Sequence, residues 1–95
     1  MPPEAMPLTR TLTIRNTKGL HARASARFVE TVESFDATAT VRRDGQSVAG
    51  DSIMGLLLLA AAKGAAIEVT TGGADAEALM AALDALIAGR FGEER

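Results

Sequence analysis

Gly19-Leu20-His21-Ala22-Arg23-Ala24-Ser25-Ala26-Arg27-Phe28 holds the one histidine of the 95-residue chain. Before it, Leu8 to Arg15 alternates, with Leu8, Leu12 and Ile14 on one face and Thr9, Thr11, Thr13 and Arg15 on the other. That is the period of a half-buried strand, broken on its apolar face only by Arg10. Asn16-Thr17-Lys18-Gly19 supplies a turn. After it, Ala22, Ser25, Ala26, Phe28, Val29, Val32 and Phe35 form one stripe at helical spacing, which predicts a helix from about Ala22 to Ser34. Arg23 and Arg27 then fall on the solvent side. His21 stands immediately before the first helical turn.

That position has a specific chemistry. The first-turn amides of a helix have no intrahelical partner, and the aligned peptide dipoles add roughly half a positive charge. A phosphate group is stabilised by both. Arg23 adds a planar cation whose donors match phosphate oxygens, and helical side chains lean back toward the N-terminus. A neutral imidazole keeps a lone pair free to attack near neutral pH, so His21 is a candidate nucleophile for a phosphoryl group. A histidine here also serves as an ordinary capping or surface residue, and local chemistry alone leaves both readings open.

The remaining chain alternates between strand and helix patterns. Ala37, Ala39 and Val41 oppose Thr38, Thr40 and Arg42, and Asp44-Gly45 predicts a type I′ hairpin into a short strand, Gln46 to Ala49, with Val48 facing in. Ser52 is placed to cap an apolar helix that starts at Ile53 and closes at Lys63-Gly64. Because that run is apolar nearly all round, Ile53, Met54 and Leu57 are expected to leave an exposed patch for a partner, the alternative being a core helix. A strand from about Ala66 to Thr71 ends at Gly72-Gly73. A last helix, with Asp75 able to cap it, places Leu79, Leu83, Leu86 and Ile87 on one face as far as Gly89. The order βαββαβα suits one antiparallel sheet with strand order 1-4-2-3, because helical crossovers let the strands interleave.

Composition narrows the function classes. A net charge of −2 and a pI near 5.3 speak against nucleic acid as a general partner, although Arg10, Arg15, Lys18, Arg23 and Arg27 gather in the first third. The three phenylalanines, none on a predicted strand face, count against a small RNA-binding sheet. With no cysteine and a single histidine, neither a thiolate metal site nor a zinc centre is expected, and no cofactor is implied. The apolar run from Ile53 to Ala62 is about half of a bilayer span, and nothing reads as a signal peptide, so a soluble cytoplasmic monomer is expected. The chain divides into a disordered, proline-bearing tail over 1–7, one domain over 8–89 and a frayed end over 90–95.

Two stretches carry a resemblance. Asn16-Thr17-Lys18-Gly19-Leu20-His21-Ala22-Arg23 resembles the active-site segment of the HPr family, the histidine-containing phosphocarriers of bacterial phosphotransferase systems. Gly50-Asp51-Ser52-Ile53-Met54-Gly55-Leu56 resembles the regulatory serine segment of that family, at the expected distance from the histidine. With the matching pattern of strands and helices, the resemblance extends from about Leu8 to Ile87. It implies an α+β fold, the HPr-like open-faced β-sandwich, whose four-stranded antiparallel sheet is covered on one face by three helices.

The resemblance also implies roles. His21 would take a phosphoryl group on Nδ1 from the phosphohistidine of enzyme I and pass it to an enzyme IIA-type acceptor, as a carrier without turnover of its own. Arg23 and the N–H groups of Ala22 and Arg23 would hold the phosphoryl oxygens. Ser52 would be the target of an HPr kinase/phosphorylase, and Ala26, Arg27, Ile53, Met54 and Leu57 would dock partners. Ala24 stands where many members have proline, which leaves the first turn less rigid. Glu30 and Glu33 stand where some sugar-branch members have lysine. Gly19 to Ala26 is similar to the variant of alphaproteobacterial members and of the nitrogen-related NPr branch, so a regulatory relay stands beside sugar uptake. A further alternative is a catabolite-control module in which Ser52, rather than His21, carries the signal.

Overall fold

A computed structural model describes residues 7–95. Residues 1–6 of the expected tail lie outside the described residues. The elements are β1 (Leu8–Thr13), α1 (Ala22–Glu33), β2 (Thr38–Arg43), β3 (Gln46–Ala49), α2 (Ile53–Leu58), β4 (Ala66–Gly72) and α3 (Ala76–Ala88), followed by a 3-10 turn at Arg90–Gly92.

The sheet order is β1-β4-β2-β3, and every neighbouring pair is antiparallel. The α1 crossover separates β1 from β2 and leaves room for β4 to pair with both. Register then sorts the faces, because the side-chain period of two puts alternate residues on opposite sides. Leu12 lies across from Ile67 and Val41 across from Val69, so their apolar side chains share the face under the helices. On the other face Thr9 and Thr70 are paired through their hydroxyls at 3.0 Å. Arg10, the polar residue on the apolar face, reaches Asp84 of α3 at 3.5 Å across a solvent-exposed gap. Asp44 and Gly45 both have positive φ, the type I′ geometry that twists the hairpin in step with its strands.

The core forms where Phe28, Val29 and Val32 of α1, Leu56 of α2, and Leu79, Met80, Leu83 and Ile87 of α3 meet the sheet. Each such side chain contributes about 1.5–3 kcal/mol by leaving water. Along α1 the buried stripe is Ala24, Ser25, Phe28, Val29 and Val32; Ala22 is exposed, and Ala24, at the position where many HPr sequences have proline, is wholly buried instead.

Three elements depart from the sequence reading. The apolar helix ends at Leu58 rather than at Lys63, because the chain beyond it is claimed by the loop before α1. Ala60 turns into the left-handed region at φ 50°, Leu59 and Ala61 are buried, and the Ala61 carbonyl accepts the Leu20 N–H at 2.9 Å. Only glycine fits at 19, whose φ is +66° and where an added Cβ would sit 2.3 Å from that same carbonyl oxygen. Asp75 occupies the N-cap position of α3 without capping it; its carboxylate accepts the Asp36 N–H at 2.8 Å.

The end of the chain is the third departure. Within the stretch 90–95, residues 90–93 are held in place: Arg90 and Phe91 both adopt φ near +55°, which reverses the chain and drives Phe91, with 0% exposure, into the core. Arg27 Nη1 donates to the Phe91 carbonyl at 2.8 Å. The Arg27 side chain, read as free for solvent, is thereby engaged, and the residues after Phe91 are carried back to the start of α1.

Candidate functional site

His21 is the N-cap residue of α1, with extended backbone, and its carbonyl accepts the Ser25 N–H at 2.9 Å to open the helix. Its ring also caps the first turn. Nδ1 accepts the Arg23 N–H at 3.3 Å, so the Nδ1 lone pair faces the unpaired amides of the first turn. Nε2 faces Glu93 Oε2 at 2.5 Å. Since Nδ1 is the acceptor, the bonding pattern puts the proton of the neutral ring on Nε2, which donates to the carboxylate. The imidazole is 25% exposed, and therefore reachable from solvent.

Glu93 is itself held. The Asn16 amide donates to Glu93 Oε1 at 2.9 Å and to the Gly19 carbonyl at 2.8 Å. Two acceptors on one side fix which way the amide points, and they leave Asn16 Oδ1 buried without a partner. The carboxyl of Glu93 ionises below its ordinary range, first because Asn16 donates to it and then because of His21 and the charge of Lys18, against the opposing effect of burial. Thr17, Lys18, Arg23, Glu93, Glu94 and Arg95 surround a shallow cleft beside the ring. Arg23 is exposed, and among the described residues its guanidinium has no ion-pair partner.

The second motif lies on α2. Ser52 Oγ accepts the Gly55 N–H at 3.0 Å, which makes it the N-cap of that helix. Ile53 is 40% exposed and Met54 69%, but Leu57 is half-buried, and the exposed leucine is Leu58 at 65%. Met54 and Leu58 are four residues apart and share a helical face, a spacing visible in the sequence once the helix start is fixed. Ala26 is half-buried on α1, which packs against α2.

Sequence reasoning missed two residues of the site. Asn16 reads as a turn residue and as the first position of the segment resembling the HPr active site, with no role of its own, and Glu93 lies in a charged run with no periodic signal. Among the described residues no three His, Cys, Asp or Glu side chains gather as a metal site, and no helix is long and apolar enough to cross a membrane.

Comparison with known proteins places the chain in a family. The family model described as the phosphotransferase-system HPr component phosphorylation site matches residues 8–89. The phosphocarrier protein HPr of Neisseria meningitidis serogroup A is 49% identical over 86 residues, covering 90% of this chain and 97% of the relative. The phosphocarrier protein NPr of Escherichia coli K12 is 37% identical over 90 residues, covering 94% of this chain and 100% of the relative. Among solved structures, an HPr of Thermoanaerobacter tengcongensis superposes with a TM-score of 0.88 at 38% identity, covering 93% of this chain and 99% of that one. The chain belongs to the HPr family of phosphotransferase-system phosphocarriers.

Proposed function

We propose that His21 Nδ1 takes a phosphoryl group from the phosphohistidine of enzyme I and yields it to an enzyme IIA-type acceptor. The observation that carries this reading is the direction of the ring: Nδ1 presents its lone pair over the first-turn amides of α1, at a point open to solvent. In the transfer that lone pair forms the new N–P bond. The bond from phosphorus to the donor nitrogen breaks, and its electron pair returns to the donor ring. The transition state is loose, with charge spread over the equatorial oxygens, so the acceptor's contribution is position and charge. The Arg23 N–H, released from Nδ1 when phosphorus arrives, becomes a donor to a phosphoryl oxygen. The Ala22 N–H and the exposed Arg23 guanidinium serve the same oxygens.

Ser52 is proposed as a regulatory site beside this relay. A phosphoryl group at an N-cap is tolerated by the helix, yet it adds nearly two negative charges next to exposed Ile53 and Met54. The helix should persist while an apolar docking surface is lost. Docking is assigned to Ala26, Arg27, Ile53 and Met54, with Leu58 in place of Leu57.

Incubation with enzyme I and labelled phosphoenolpyruvate tests the carrier reading. An acid-labile, base-stable adduct is expected in the parent protein and none in His21→Ala. Label that survives acid and persists in His21→Ala would move the signal to Ser52 and replace this reading by the phosphoserine one.

A further inference from the structure

We propose that Glu93 is a positioning residue for phosphoryl transfer, holding the proton on His21 Nε2 so that Nδ1 is the nitrogen that reacts. The proposal rests on the reading of His21 as the phosphoryl carrier. Its ground is a chain of contacts built from opposite ends of the sequence. The two left-handed residues Arg90 and Phe91 reverse the chain, Phe91 anchors it in the core, and Arg27 holds the Phe91 carbonyl. Glu93 then meets both Asn16 and Nε2.

The arrangement is specific rather than a casual ion pair. Non-glycine residues in the left-handed region cost of the order of 1–3 kcal/mol each and persist where the surroundings over-determine them. Asn16, wholly buried, uses its amide N–H groups on Gly19 and Glu93 and leaves its own oxygen unpaired. Both features are unfavourable in isolation, and both serve to bring one carboxylate to one ring nitrogen.

The chemical consequence follows from proton bookkeeping. Neutral imidazole with its proton on Nε2 attacks through Nδ1, and the ring that results carries phosphorus on Nδ1, the same proton on Nε2, and a positive charge. No proton moves in the step. The Glu93 carboxylate opposes that charge, while Lys18, Arg23 and Arg95 line the same cleft as cations available to the phosphoryl oxygens, and Glu94 is its other anion. In the onward transfer the leaving group is again the neutral ring. Were Nε2 to lose its proton in the phosphorylated protein, an imidazolide would have to leave, and phosphorus would be released more slowly.

Glu93→Gln and Glu93→Ala test this, with the amide spectrum of each variant confirming that the fold and the Phe91 anchor are intact. Nitrogen NMR of the ring in unphosphorylated protein at about pH 8 should report the Nε2–H tautomer in the parent and a mixture in the variants. The phosphorylated variants should lose their label to water at pH 8 more slowly than the parent, on the order of fivefold, since an exposed to half-buried charge pair is worth about that much. The difference should close at acid pH, where every ring is protonated. A merely structural Glu93 would leave tautomer and pH profile unchanged, and that result in folded variants would overturn the proposal. A parent protein that takes no label at all would instead overturn the carrier reading on which it rests.

Discussion

The Arg27 guanidinium donates to the Phe91 carbonyl across 2.8 Å, so α1 grips the turn that follows α3. Phe91 is fully buried beneath that contact. Phe91→Ala should therefore destabilise the protein by about 3–5 kcal/mol, the range for removing a buried phenyl ring. Arg27→Met should lose about 1 kcal/mol, one hydrogen bond to a carbonyl. Urea unfolding followed by circular dichroism measures both, and equal, small effects would mean that the turn is not anchored.

Glycine at 19 is held by a backbone rather than a side chain. An added methyl group would overlap the Ala61 carbonyl oxygen, 2.3 Å away, in a conformation that disfavours any Cβ. Gly19→Ala should cost roughly 3 kcal/mol and loosen the Leu20 N–H bond to Ala61, seen as faster amide exchange at Leu20 than at Val41. A variant as stable as the parent would contradict the close approach.

Ser52 offers two substitutions with opposite signs. Ser52→Ala removes the cap on Gly55 and should destabilise by about 1 kcal/mol, whereas Ser52→Asp keeps an acceptor at the N-cap and should be near neutral. In phosphoryl transfer from enzyme I the order reverses: the aspartate beside Ile53 and Met54 should raise the KM of the donor, and the alanine should not. Thermal melts and transfer kinetics on the same samples separate the effects.

The acid limb of stability carries the signature of Glu93. Its carboxyl ionises below the ordinary range in the folded protein, mainly through the Asn16 hydrogen bond. The unfolded chain therefore takes up this proton more readily, so the stabilisation is complete above the ordinary glutamate value of about 4.3 and is lost as pH falls through the depressed folded value. The gap in unfolding free energy between the parent protein and Glu93→Gln should be present at about pH 5 and vanish at more acid pH. Urea titrations across that window check it; a gap that widens on acidification would reverse the assigned sign.

Much of this fold was legible because its signals are local. The alternation of Leu8 to Ile14, the Asp44-Gly45 turn and the stripe through Phe28 and Val32 each report their own surroundings, and short crossovers leave few ways to interleave the strands. What escaped notice depends on partners distant in sequence. The apolar helix stops at Leu58 because Leu20 takes the Ala61 carbonyl, and no property of residues 59–63 announces that. Asp75 has the composition of a cap but is drawn away by Asp36. Phe91 is a single apolar residue past a glycine, without a period to betray its burial. His21 could be placed at the helix start from the sequence, while the carboxylate beside it could not, since 72 residues separate them.

The two left-handed residues at 90 and 91 have a consequence for engineering. Their backbone energy is a loaded spring, restrained by the buried phenyl ring and by the Arg27 hydrogen bond to the Phe91 carbonyl. A glycine at position 90 would slacken the spring without touching the ring. The same change offers a way to relieve backbone strain in the closing segment without altering a side chain that touches the imidazole.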